Sequence, residues 1–177
     1  MSNILMREYP RVLLSAEQIA KRVQEMARRI SDDYRGKTIC VVGVLENGFI
    51  FMADLVRHLE VPVICQFLKV ESRETPSNTD IFFSPKPDVK GQHVLLVEAL
   101  VQSGVTSEFL LETLLARGAS SVKLAVLLDK QSARRISLQP DYFGFLMSEA
   151  FVVGYGLGTP HTGRNLPYIA AKAKAPA

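Results

Sequence analysis

A chain of 177 residues with 47% hydrophobic and 22% charged residues has the composition of one globular domain with a sizeable core, not of a disordered or fibrous protein. The net charge of +3 is dispersed, with no Lys/Arg run interleaved with aromatics, which excludes a nucleic-acid surface; no apolar stretch approaches the roughly 18 residues of a membrane span. The opening MSNILMREYP lacks a basic segment followed by an apolar core, so the predicted location is cytoplasmic.

Ser15-x-x-Gln18 is a capping box, and Ile19, Val23, Met26 and Ile30 recur at helical spacing behind it, predicting an amphipathic helix to about Asp33. Residues 38–44 (TICVVGV) form a buried strand ending in the loop Leu45-Glu46-Asn47-Gly48. A second helix is marked by Phe49, Met52, Leu55, Val56 and Leu59. Residues 61–70 read as the next strand. The Ser/Thr/Pro/Asp-rich stretch that follows reads as a long flexible loop, about 70–90, with a short hairpin strand at 81–83. Cys40 and Cys65 sit inside apolar runs and are read as small buried hydrophobes, while three histidines in scattered contexts form no zinc pattern.

The most informative stretch is 94–111. Val94 to Val97 are apolar with β-branched ends, the pattern of a strand buried on both faces. Ser103, Gly104, Val105 and Thr106 then lead into the helical pattern of Phe109, Leu110 and Leu114. Unpaired amides and the positive end of a helix dipole meet in such a loop, and a phosphate is their natural guest. An ordinary strand-to-helix turn with a serine cap is the competing reading. Glu98, one residue past the apolar run at the carboxyl end of the strand, weighs against it, because open α/β sheets place their ligands there. The spacing is neither G-x-G-x-x-G nor G-x-x-x-x-G-K-[ST].

The helix runs to Arg117, with Gly118 placed to terminate it. Residues 122–128 form another buried strand, ending in Asp129-Lys130, and 142–156 carry two short aromatic and β-branched runs around Ser148-Glu149. The small, basic tail, 170–177, is predicted to fray.

The segment E-A-L-V-Q-S-G-V-T, residues 98–106, resembles the phosphoribosyl-pyrophosphate (PRPP) loop of type I phosphoribosyltransferases, most closely E-D-I-I-D-[ST]-G-x-T of the hypoxanthine-guanine phosphoribosyltransferases. L-L-D-K at 127–130 and D-Y-F-G-F with F-V-V-G-Y-G-L, up to residue 157, extend the resemblance, which spans Val12 to Ile169. It implies a single α/β domain over 1–177: a mainly parallel twisted sheet flanked by helices, with a small base-binding subdomain and a flexible loop. It also implies that Ser103, Gly104, Val105 and Thr106 hold a 5′-phosphate and that Glu98 contacts ribose. Lys130 would hydrogen-bond a purine 6-oxo group, Phe151 would stack on the base, and Val152 would read its edge.

Departures fall elsewhere. The family's L-K-G pyrophosphate loop has Glu46 and Asn47 in place of its lysine and glycine, beside a retained arginine, Arg164. Ala99 and Gln102 stand for aspartates, Gln102 at the acid/base position that handles the purine N7 proton. Arg73 replaces the lid tyrosine, and Gly158 a metal-holding aspartate. The resemblance therefore implies a protein of purine salvage that binds a 6-oxopurine mononucleotide, IMP or GMP, with transferase activity weak or lost and Glu98 the one catalytic-region acid retained. Two alternatives stand beside it. One is a working transferase that uses PRPP and Mg2+, with no cofactor implied otherwise. The other is a catalytically silent subunit. A homo-oligomer, dimer or tetramer, is implied in each case, with no nucleic-acid or membrane partner.

Overall fold

The computed structural model describes residues 11–75, 78–84, 86–149, 151–159 and 162–171. Strands β1 (Arg11–Leu14), β2 (Ile39–Leu45), β3 (Val63–Thr75), β4 (Asn78–Ser84), β5 (His93–Val101), β6 (Ser121–Asp129), β7 (Tyr142–Leu146), β8 (Val152–Val153) and β9 (Ile169–Ala171) alternate with helices α1 (Ala16–Asp33), α2 (Phe49–Arg57) and α3 (Val105–Ala116). The main sheet has the order β4-β3-β2-β5-β6-β7; β4 alone runs antiparallel, at its edge. A second, three-stranded antiparallel sheet, β1-β9-β8, forms the small subdomain.

Both faces of the central strands are covered, which is why those strands read as unbroken apolar runs and not as alternating ones. On one face Leu95 and Val97 of β5 join Ile39 and Val41 of β2 under Ile19, Val23, Met26 and Ile30 of α1 and Phe51, Met52 and Leu55 of α2. Val94 and Leu96 point the other way, with Cys40 and Val42, toward Leu110 and Leu114 of α3. Helix α1 starts with the predicted reciprocal cap: Gln18 N–H donates to Ser15 Oγ (3.2 Å) and Ser15 N–H to Gln18 Oε1 (2.8 Å). Its far end is tied to β7 by Tyr142 Oη, which donates to Asp33 Oδ2 at 2.6 Å.

Three expectations need correction. The hairpin strand expected at 81–83 is present within β4, but the rest of the stretch taken for a flexible loop at 70–90 is largely hairpin as well: β3 continues to Thr75 and pairs with β4 from Lys69↔Ser84 to Thr75↔Asn78, which places Arg73 opposite Asp80. Its polar composition masked the β-branched and aromatic residues Val70, Thr75, Thr79, Ile81, Phe82 and Phe83, which favour strand. The frayed tail does not begin at 170, because Ala170 and Ala171 are buried in β9 between β1 and β8; residues 172–177 lie outside the described residues. Cys65 is exposed, although Val41, its partner on β2, is buried and Val63 two residues before it packs against the α1–α2 cluster. Cys40 is buried as expected. No helix among the described residues is long and apolar enough to cross a membrane.

Phe51 is fully buried at the centre of the α1–α2 layer. Phe51→Ala is therefore expected to destabilise the protein by about 3–5 kcal/mol in urea unfolding. A loss below about 1 kcal/mol would show that α2 does not carry this layer.

Candidate functional site

The parallel register of β2, β5 and β6 sends three loops out of one edge of the sheet. The middle one holds the predicted phosphate cradle. Gly104 is the N-cap of α3 at φ +86°, in the left-handed region that glycine adopts without a Cβ clash. A Cβ there would lie 3.1 Å from Arg134 Cδ and from Ile136 Cγ1, so the loop is seated closely on the segment that follows β6. Arg135 N–H donates to Ser103 O at 3.0 Å and fixes the same contact through the backbone. The first intrahelical bond of α3 runs from Glu108 N–H to Gly104 O, 2.9 Å, so the amides of Val105, Thr106 and Ser107 precede the helical ladder at the positive end of the dipole. No side chain caps this helix; Ser103 Oγ only reaches Val105 N–H at 3.4 Å. The ordinary serine cap is thus not formed. Gln102 is exposed at the mouth of the loop, and Thr106 is half-buried.

Glu98 lies inside β5, not beyond its end, because the strand continues to Val101. Ala99 beside it is buried against the core. One Glu98 carboxylate oxygen, Oε1, is fully buried with no hydrogen-bond partner among the described residues. Burial pushes this carboxyl up to about 7, against the opposing pull of the Ser107 hydroxyl and the Arg134 charge.

Arg134 itself was not anticipated. Its guanidinium pairs with Asp129, a buried carboxylate at the end of β6 that also accepts from Gln131 Nε2 at 3.2 Å. Nη1 of Arg134 is buried and unpaired among the described residues, and it would stand 3.2 Å from a Cβ placed on Gly104. The sequence signal for this pair was slight: an acid ending an apolar strand, with a nearby arginine.

The predicted base contacts sit on two sides of the next junction. Lys130 follows β6, its N–H bonded to Val101 O at 3.0 Å, and Met147 N–H bonds Asp129 O at 2.9 Å. The chain leaving β7 therefore starts beside Lys130 and reaches Phe151 and Val152 a few residues later. Phe151 is 47% exposed, which rules out its being a core aromatic, whereas Val152 is buried in β8. A cleft of about 280 Å³ opens at this junction, lined by Asp129, Gln131, Ser132, Leu146, Met147 and Ser148; none of the predicted base contacts lines it.

The third loop carries Glu46 and Asn47, joined to Leu45 by a cis peptide. Register pairs Leu45 with Lys69, and Lys69 Nζ lies 3.5 Å from Glu46 Oε1. Arg164 approaches from the small subdomain, with Nη2 3.3 Å from Glu46 Oε2 and Nη1 2.6 Å from Asn47 Oδ1. The same arginine donates to Gly156 O (3.0 Å) and Thr159 O (3.3 Å). Gly156, at φ +91°, packs so tightly on Asn47 that a Cβ would come within 2.5 Å of its carbonyl oxygen. The structure thus brings Glu46, Asn47 and Arg164 together as the resemblance implied, and adds Lys69.

A magnesium ion held by the chain does not fit these residues. Ala99 and Gly158 offer no ligating side-chain atom, Glu98 buries one of its two oxygens, and no group of three His, Cys, Asp or Glu among the described residues is arranged to hold a metal.

A folded-state pKa above the unfolded one means that Glu98 favours folding at low pH and loses that contribution as pH rises from about 4.5 through about 7. Glu98→Gln removes this slope. The variant is expected to gain stability relative to the parent across that window, by on the order of 1–3 kcal/mol, in urea unfolding at about pH 5 and about pH 8. Parallel pH curves for the two proteins would contradict proton binding by a Glu98 whose Oε1 is buried.

Comparison with known proteins agrees with this architecture. The model of the phosphoribosyl transferase domain family matches residues 12–159. The chain is 35% identical over 170 residues to the hypoxanthine-guanine phosphoribosyltransferase of Bacillus subtilis (strain 168), covering 94% of each chain. It is 36% identical over 170 residues to that of Streptococcus pneumoniae (strain ATCC BAA-255 / R6), again covering 94% of each. A crystal structure of a hypoxanthine phosphoribosyltransferase from Staphylococcus aureus matches with a TM-score of 0.91 at 28% identity, over 98% of this chain and 96% of that one. The chain belongs to the phosphoribosyl transferase domain family, among its hypoxanthine-guanine phosphoribosyltransferases.

Proposed function

We propose that this phosphoribosyltransferase-like protein of purine salvage binds a 6-oxopurine mononucleotide, IMP or GMP, and transfers the phosphoribosyl group weakly or not at all. One contrast carries the reading. The loop around Gly104 is seated closely on the segment after β6, with three amides ahead of the helical ladder, which supports an anion cradle, whereas the three positions that the resemblance gives as carboxylates are Ala99, Gln102 and Gly158. The amide of Gln102 does not accept a proton at neutral pH, and loss of a general acid/base alone lowers rates by roughly 10²–10⁴-fold. The amides of Val105, Thr106 and Ser107 serve the 5′-phosphate, Glu98 the ribose, and Lys130, Phe151 and Val152 the base.

A second reading, a working transferase acting on PRPP with Mg2+ and hypoxanthine or guanine, is favoured by one observation. Glu98, with its carboxyl near 7, is a base poised at neutral pH and within the same site. In either case we propose a homo-oligomer, dimer or tetramer. Exposed apolar side chains on β3 (Ile64, Phe67) and α3 (Val105, Phe109, Leu115) support self-association.

Ligand-induced melting shifts separate the readings. IMP or GMP at about a hundredfold excess over Kd is expected to add about 2.7 kcal/mol, a rise of about 5–10 °C for a chain of this size, while PRPP with Mg2+ adds little. Equal protection by PRPP with Mg2+ would favour the working transferase. Protection by neither would leave a silent subunit.

A further inference from the structure

Lys69 and Arg164 approach one point from different parts of the fold, β3 of the main sheet and the segment that follows β8. The point is occupied by Glu46: one carboxylate oxygen lies 3.5 Å from Lys69 Nζ, the other 3.3 Å from Arg164 Nη2. Asn47 Oδ1 takes another Arg164 N–H at 2.6 Å, and the carbonyls of Gly156 and Thr159 take more. Every acceptor in this set belongs to the chain itself. Two cations that converge on the loop leaving the carboxyl end of β2, Lys69 from β3 and Arg164 from the small subdomain, make an anion site by charge and by location, and here an internal carboxylate fills it.

We propose that Glu46 is a built-in anion that closes a two-cation site for phosphate or diphosphate groups, so that this loop rejects the diphosphate end of a ligand while leaving the Gly104 cradle open. This deepens the mononucleotide reading above and rests on it for the identity of the neighbouring ligand. The physical basis is competition. An incoming diphosphate must displace Glu46 from both cations and then lie beside its expelled negative charge. The exposed ion pairs themselves contribute little to folding, so their role here is one of selectivity. Glu46 is itself substantially exposed, with a side-chain exposure of 56%, and an isosteric amide is accommodated without repacking.

The test is calorimetric titration of sodium pyrophosphate, without magnesium, into the parent, Glu46→Gln, Glu60→Gln and Glu46→Gln/Arg164→Ala. Glu60 is an exposed carboxylate outside this cluster and controls for net charge. Glu46→Gln is expected to bind pyrophosphate at least about tenfold more tightly than the parent, Glu60→Gln to match the parent, and the double variant to lose the gain. Equal affinity in the parent and Glu46→Gln, an equal gain in Glu60→Gln, or a gain that survives in the double variant would overturn the proposal. IMP titrated into the same samples reports separately on the mononucleotide reading. Absence of IMP binding in the parent overturns that reading and leaves the pyrophosphate comparison standing.

Discussion

The parallel in-register pairing of β2, β5 and β6 is the constraint on which the site depends. Gly43 pairs with Val97, and Val97 with Ala125, so the loops that follow all three strands leave the same edge of the sheet. That register is held by side chains buried on both faces, under α1 and α2 on one side and α3 on the other. A slip of one residue in β5 would exchange Leu95 and Val97 with Val94 and Leu96, and would carry Glu98 away from Ser107. The core and the site are therefore specified by the same alternation.

Charge within the site is largely balanced by the protein itself. Asp129 takes Arg134, and Glu46 takes Lys69 and Arg164. The polar atoms left without partners among the described residues include Glu98 Oε1, in the residue that meets Ser107 at the start of α3, and Arg134 Nη1, beside Gly104. A buried acceptor and a buried donor, both unsatisfied, are costly to folding and mark where a ligand's own polar groups would be most strongly rewarded. Unsatisfied polar atoms thus lie around the Gly104 loop, while Glu46 is already paired with Lys69 and Arg164.

Much of this was legible from residues near one another in sequence. The Ser15–Gln18 cap, the buried strands and the strand–loop–helix hand-over at 94–111 all rest on local pattern, and all were recovered. The β3–β4 hairpin was recovered only in part, as the strand at 81–83; its extent was missed, because Ser, Thr, Pro and Asp signal loops by composition even where β-branched and aromatic neighbours pair into strands. Cys65 was misplaced because an apolar run does not reveal which of its residues stay exposed. Glu98 was put past its strand, since a charged residue reads as a terminus when the apolar run stops. The Arg134–Asp129 pair joins residues only five apart, but an acid ending an apolar strand does not by itself announce a buried ion pair; the Lys69–Glu46–Arg164 cluster joins segments far apart in the chain, and only the fold brings it together. The resemblance supplied the grouping of Glu46, Asn47 and Arg164, and the geometry supplied its chemistry: the arginine is held by the chain's own oxygens.

The central claim is that the site holds a nucleotide but does not turn over. Its most direct test is a steady-state assay of the parent protein with Mg2+, PRPP and hypoxanthine or guanine, run beside the Bacillus subtilis relative. The account predicts turnover roughly 10²–10⁴-fold below the ordinary enzyme range of about 1–10³ s⁻¹. A kcat inside that range would contradict it and establish a working transferase with Glu98 as the group to examine.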